Sequence, residues 1–204
     1  TGSYQAALGV NALYANSTGT NNTAVGHAAL FANTTGDYNT AIGNMALYDA
    51  TTADHNTAIG YEAAANVTTG ANNVVVGNAA LGMNTTGAEN TAVGRSALIA
   101  NTTADGITAV GNKALLLTTT GKENTSVGRS ALSANTTGAN NTAVGQGALV
   151  TNSTGSDNVA VGDDALRLNT GSRNTAVGTV GLDAKTAVCD CAGVGGDGIT
   201  AANR

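Results

Sequence analysis

The sequence predicts an all-β protein, a parallel β-solenoid with one coil for every 17 residues. Three observations carry this. Gly9, Gly26, Gly43, Gly60, Gly77, Gly94, Gly111, Gly128, Gly145 and Gly162 follow one another at intervals of 17, and Gly178 comes after 16. The residue before each glycine is aliphatic in every copy, and clusters rich in Asn, Thr and Gly punctuate the stretches between. A constant period this short means that each copy is one coil and that neighbouring copies stack.

The strand is the element preceding each glycine. Val25, Ile42, Ile59, Val76, Val93, Val110, Val127, Val144, Val161 and Val177, with Leu8 in the first copy, form a β-branched column that reads as the core ladder. Two residues earlier stands a Thr or Val in all copies but the first, from Thr23 to Thr175, on the same face of an extended strand. Between them lies a small column: Ala24, Ala41, Ala58, Ala92, Ala109, Ala143, Ala160 and Ala176, with Ala7, Val75 and Ser126 at the equivalent places. A solvated face would drift to Lys, Glu or Gln, so this alanine stripe reads as a face against which something packs closely.

Four residues after each glycine comes a second apolar rung: Leu in all copies but one, where Ala64 stands. The segment carrying it, for example Arg95 to Asn101, contains good helix formers but is too short for a stable helix. A strand or extended turn is expected there. Asn22, Asn39, Asn56, Asn73, Asn90, Asn124, Asn141, Asn158 and Asn174 open the strands, where amides can bond neighbouring backbone and the amide one coil away. Ile107 breaks that column. Thr35-Gly36, Thr69-Gly70, Thr86-Gly87 and their equivalents mark the second corner, the glycine being expected to supply positive φ. Thr52-Ala53 and Thr103-Ala104, each followed by Asp, should turn differently.

The repeats organise residues 1–182 into one elongated body of about eleven coils, roughly 50 Å long at ~4.8 Å per coil. Residues 183–204 leave the pattern and read as a cap or a junction. The chain has 204 residues, only 10% charged, 3% aromatic and no proline. Low charge follows from stacking, which would set a charged column against itself. The net charge of −5 supplies no basic stripe for nucleic acid, and no run is apolar enough for membrane insertion.

Catalytic, cofactor-binding and metal sites are assigned to none of the residues. His27 and His55 occupy different repeat positions without partners at ligand spacing, so both read as surface residues. Asp54, Asp105, Asp157 and the pair Asp163-Asp164 are too sporadic for a calcium-binding repeat. Cys189 and Cys191, two apart, fit neither a zinc knuckle nor a redox pair; free thiols and disulfides between chains are the two readings. Asn-x-Ser/Thr triplets, at Asn33, Asn66, Asn84 and elsewhere, arise from turn chemistry within the repeat.

The Asn-Thr-Ala-Val-Gly units with Gly-x-x-Ala-Leu following resemble the head repeats of YadA-like trimeric autotransporter adhesins. They are also similar to the longer repeats of phage tail-fibre proteins that precede an intramolecular-chaperone domain of the endosialidase type. The resemblance spans residues 5–182 and implies a left-handed β-roll with three chains about one axis, the alanine column of Ala24, Ala41, Ala58 and their equivalents being the candidate interchain face. It implies an extracellular, cell-surface or virion location and a non-enzymatic role in adhesion or fibre building. The partners expected are copies of the chain, as a trimer or an end-to-end filament, and a glycan or protein receptor, without cofactor. A second class of function is ice binding by a threonine array.

Overall fold

The computed structural model describes residues 3–179 and the backbone of a strand at Cys191–Val194. Its architecture is the expected β-solenoid. Twelve short parallel strands form one sheet in chain order: β1 (Ala6–Leu8), β2 (Thr23–Val25), β3 (Thr40–Ile42), β4 (Thr57–Ile59), β5 (Val74–Val76), β6 (Thr91–Val93), β7 (Thr108–Val110), β8 (Thr125–Val127), β9 (Thr142–Val144), β10 (Val159–Val161), β11 (Asn174–Val177) and β12 (Cys191–Val194). Register follows the repeat, with Thr on Thr, Ala on Ala and Ile42 on Ile59. Val194 pairs with Val177, so the sheet continues into the stretch expected to leave the repeat.

The leucine-bearing segment is a turn, neither helix nor strand, and its backbone still bonds from coil to coil. Leu30 N–H donates to Ala46 O at 3.0 Å and Ala32 N–H to Tyr48 O at 3.0 Å. Alternate residues are left-handed: Ala28 has φ 53° and Leu30 φ 50°, and the same pair recurs in other coils, as at Ser96 and Leu98. A left-handed leucine costs about 1–2 kcal/mol. Its complete burial, worth about 2 kcal/mol, offsets that strain, and the coil-to-coil bonds then decide in favour of the turn.

The core lies between this turn and the sheet, and it reverses the expected facing of the strands. Ala24, Ala41, Ala58, Ala92, Ala109, Ala143, Ala160 and Ala176 are fully buried within the coil. Opposite them sit a second alanine column, Ala29 and its equivalents, and the leucines. A 17-residue coil is so flat that a strand side chain pointing inward meets the leucine wall at once. Only a methyl fits. Val75 is accommodated at this position, and Ser126 satisfies its buried hydroxyl by donating to Ala131 O at 2.9 Å.

Two sets of asparagines line one end of the coil. Asn39 N–H donates to Asn22 Oδ1 at 2.8 Å, and Asn56 N–H to Asn39 Oδ1 at 3.0 Å, so each amide oxygen caps the strand start one coil later. The Nδ2 group crosses the coil to the corner, as Asn22 does to Gly36 O at 2.7 Å. A second set, Asn84, Asn101, Asn135 and Asn152, holds the same corner from the turn side. Asn33, Asn84, Asn101, Asn135 and Asn152 are fully buried, so those triplets serve folding.

Two classes of glycine are held for different reasons. Gly94, at the end of β6, has φ 129°, and a Cβ there would lie 2.6 Å from Gly111 O. The corner glycines are not left-handed, contrary to expectation. A Cβ on Gly36 would strike Ala53 O, Asn33 Oδ1 and Asn39 Nδ2. Lack of space, against the carbonyl of the next coil first and the buried amides second, therefore selects glycine. Where alanine stands at this corner, one amide is missing: Ala50 replaces the turn asparagine beside Ala53, and Ile107 replaces the strand asparagine beside Ala104.

Candidate functional site

The face available for function is the outer side of the sheet. Strand alternation fixes it: with alanine inward, the residues on either side of it point out. The expected core ladder of Val25, Ile42, Ile59, Val76, Val93, Val110, Val127, Val144, Val161 and Val177 is therefore an outer ladder, half-buried to exposed. Ile42 is 38% exposed and Val177 41%, although neighbours in the same column cover their flanks. The Thr column shares this face, with Val74 and Val159 exposed among the threonines. Correspondingly, the alanines expected between chains have no surface to offer.

Neither outer column carries a charge at any coil. The columns run side by side for about 50 Å and are roughly 10 Å wide, an apolar and hydroxyl strip on the order of 500 Å². Polar and charged residues rim it. Beyond the glycines stand His27, Asn44, Tyr61, Arg95 and Arg129; before the strands stand Tyr38, His55, Glu89 and Glu123. Tyr38 and His55 stack with ring centroids 4.9 Å apart and planes 3° from parallel.

Asp37, Asp54 and Asp105 work as backbone acceptors. Asp54 Oδ1 accepts from Asp37 N–H at 2.7 Å, and Asp105 Oδ1 from Ala88 N–H at 2.9 Å. Ser156 fills the same role at 3.1 Å from Ala139 N. Lys122 Nζ donates to Asp105 Oδ2 at 2.8 Å, which together with the Ala88 N–H holds the carboxyl below its ordinary range and raises the Lys122 ammonium. Tyr61 is raised, chiefly by its hydrogen bond to Glu62.

Among the described residues no group of three or more His, Cys, Asp or Glu could hold a metal ion. No described helix is long and apolar enough to cross a membrane. Cys189 and the side chain of Cys191, expected as thiols or interchain disulfides, lie outside the described residues. Comparison with protein-family models, curated proteins and solved structures finds no match.

Sequence reasoning located the strand but faced it the wrong way. The missed signal was the threonine column itself. A column of eight threonines turned into a core only a few ångströms wide would bury eight hydroxyls among apolar groups, at a cost of a kcal/mol or more each. Threonine and valine interchange freely only where the hydroxyl reaches water.

Proposed function

We propose that this chain is a non-enzymatic structural and adhesive segment of an extracellular fibre, in which three copies pack about a common axis through the outer sheet faces. The observation that supports it most is the uncharged strip of Val, Ile and Thr running the length of the sheet. Contiguous apolar strips with polar rims are characteristic of protein interfaces. The strip alone is smaller than the roughly 800 Å² per partner of a stable interface, so the flanking rims must join the contact. Tyr61, His27 and Asn44 are placed along that flank.

Light scattering on the purified chain tests this. A mass three times that of one chain, reduced to one by Val93→Glu together with Val127→Glu, is the expected result. A single-chain mass at all concentrations would sink the trimer.

A second reading has its own observation. The outward threonines form a regular, charge-free array, which is the requirement for ordering water on an ice surface. A monomer with thermal hysteresis, abolished by Thr108→Lys, would establish ice binding in place of fibre building.

A further inference from the structure

Immediately after each buried leucine the repeat carries an outward residue, and this column changes character abruptly. Tyr14, Phe31 and Tyr48 occupy it in three successive coils and stack face to face, with centroids 5.1 and 5.0 Å apart and planes within 6° of parallel. The next two coils have Ala65 and Gly82, and the sixth has Ile99. The aromatic ladder thus ends in a cavity of about 280 Å³, with Tyr48 and Ile99 in its lining on either side of Ala65 and Gly82. Three coil steps separate Tyr48 from Ile99, about 14 Å, leaving roughly 10 Å of free height.

The lining is chemically mixed. One face of the Tyr48 ring is backed by Phe31, so the other is a rigid, flat wall. Met45 and Met83 add adaptable apolar surface. Glu62 and Asn66 supply a carboxylate and an amide, and Glu62 is further tied to the Tyr61 hydroxyl. The cavity lining holds no Lys or Arg.

We infer that this notch binds a single neutral pyranose ring of a glycan, the C–H face of the sugar stacked on Tyr48 and its hydroxyls bonded to Glu62 and Asn66. A flat aromatic wall suits the alternating C–H face of a pyranose. The carboxylate accepts from sugar hydroxyls, and as the one charge in the lining it repels sialylated, uronic or sulfated sugars. An aromatic peptide side chain would fit the wall but leave carboxylate and amide desolvated without partners. The inference gives the adhesive part of the proposed function its ligand class and rests on that part alone.

Saturation-transfer NMR with methyl pyranosides of glucose, galactose, mannose and N-acetylglucosamine, beside sialic acid, provides the test. Two variants accompany it. Ala65→Phe extends the stack by one ring and fills the notch; Gly82→Ile fills it from the next coil, where an added Cβ meets nothing nearer than 3.3 Å. The expected result is saturation transfer to at least one neutral pyranoside and none to sialic acid. Ala65→Phe and Gly82→Ile should lower that affinity at least tenfold while melting no earlier than the parent chain and keeping its mass by light scattering. Silence toward all four pyranosides, equal binding by the filled variants, preference for sialic acid, or capture of tryptophan-bearing peptides alone would overturn it. A single-chain mass with pyranoside binding intact would remove the trimer and uphold this site.

Discussion

Ala104 and Ile107 show how far a single position depends on its neighbours. Ile107 N–H donates to Asn90 Oδ1 at 3.0 Å as an asparagine would, but an isoleucine offers no oxygen to Asn124 in the next coil. Restoring the amide alone sets it against the Ala104 methyl, by the same crowding that selects glycine at Gly36. Ile107→Asn is therefore expected to destabilise by about 1–2 kcal/mol, from crowding and lost apolar burial. With Ala104→Gly added, the double variant should recover at least about 1 kcal/mol more than the two single effects sum to. Urea unfolding of the four proteins measures the coupling, and strict additivity would contradict it.

The pairing of these departures could be read from the sequence only as two irregular coils. Neither substitution is unusual alone, and their proximity depends on a corner whose width no local propensity describes. The corner glycines misled in the same way. Glycine signals both positive φ and shortage of space, and at Gly36 the Ala53 carbonyl with the buried amides of Asn33 and Asn39 makes it the second.

At the scale of the element, the three-residue strand owes its stability to what lies on each side of it. Ala109 is buried completely, whereas Val110 is only half-buried on the outer face. Ala109→Leu should cost about 3 kcal/mol or more, since the opposite wall is already filled by leucine. Val110→Ala should cost about 1 kcal/mol or less in the isolated chain. Thermal melting of both variants decides the facing, and the reverse order would restore valine to the core. Period and strand position were legible because a 17-residue glycine spacing has few explanations. Facing was not, because a small column and a β-branched column are each consistent with a tight interior until the distance across the coil is known.

An ion pair between Lys122 and Asp105 joins the corner after β7 to the corner after β6. The lowered Asp105 carboxyl favours the folded chain above the ordinary value of 3.8, and that contribution disappears as pH falls through the lowered native value. Both side chains are substantially exposed, so the effect is small and screened by salt. Asp105→Asn should narrow the difference in melting temperature between about pH 5 and about pH 2.5. An unchanged acid limb would show that the pair contributes nothing to stability.

For the whole molecule, each coil contacts its immediate neighbours, and stability is a sum over coils and their interfaces. Removal of one full coil, residues 125–141, joins Asn124 to Thr142 and recreates the strand opening. The shortened chain is expected to keep its β-sheet circular dichroism and to melt a few degrees lower. Removal of nine residues from the same place leaves eight that cannot complete a coil and must loop out, so this variant should melt below the seventeen-residue deletion. A nine-residue deletion at least as stable as the full-coil deletion would argue against a repeat-determined fold.

Uniform coils leave one matter undetermined, the alignment of one chain against another. Two identical strips of Val and Thr lying side by side could slide by a coil, about 4.8 Å, and find almost the same contacts. The aromatic trio, the notch beyond Tyr48 and the paired departures at Ala50 with Ala53 and at Ala104 with Ile107 do not repeat. They mark positions along the rod as graduations mark a ruler, so that coils equivalent in backbone and period are each distinguishable along the axis.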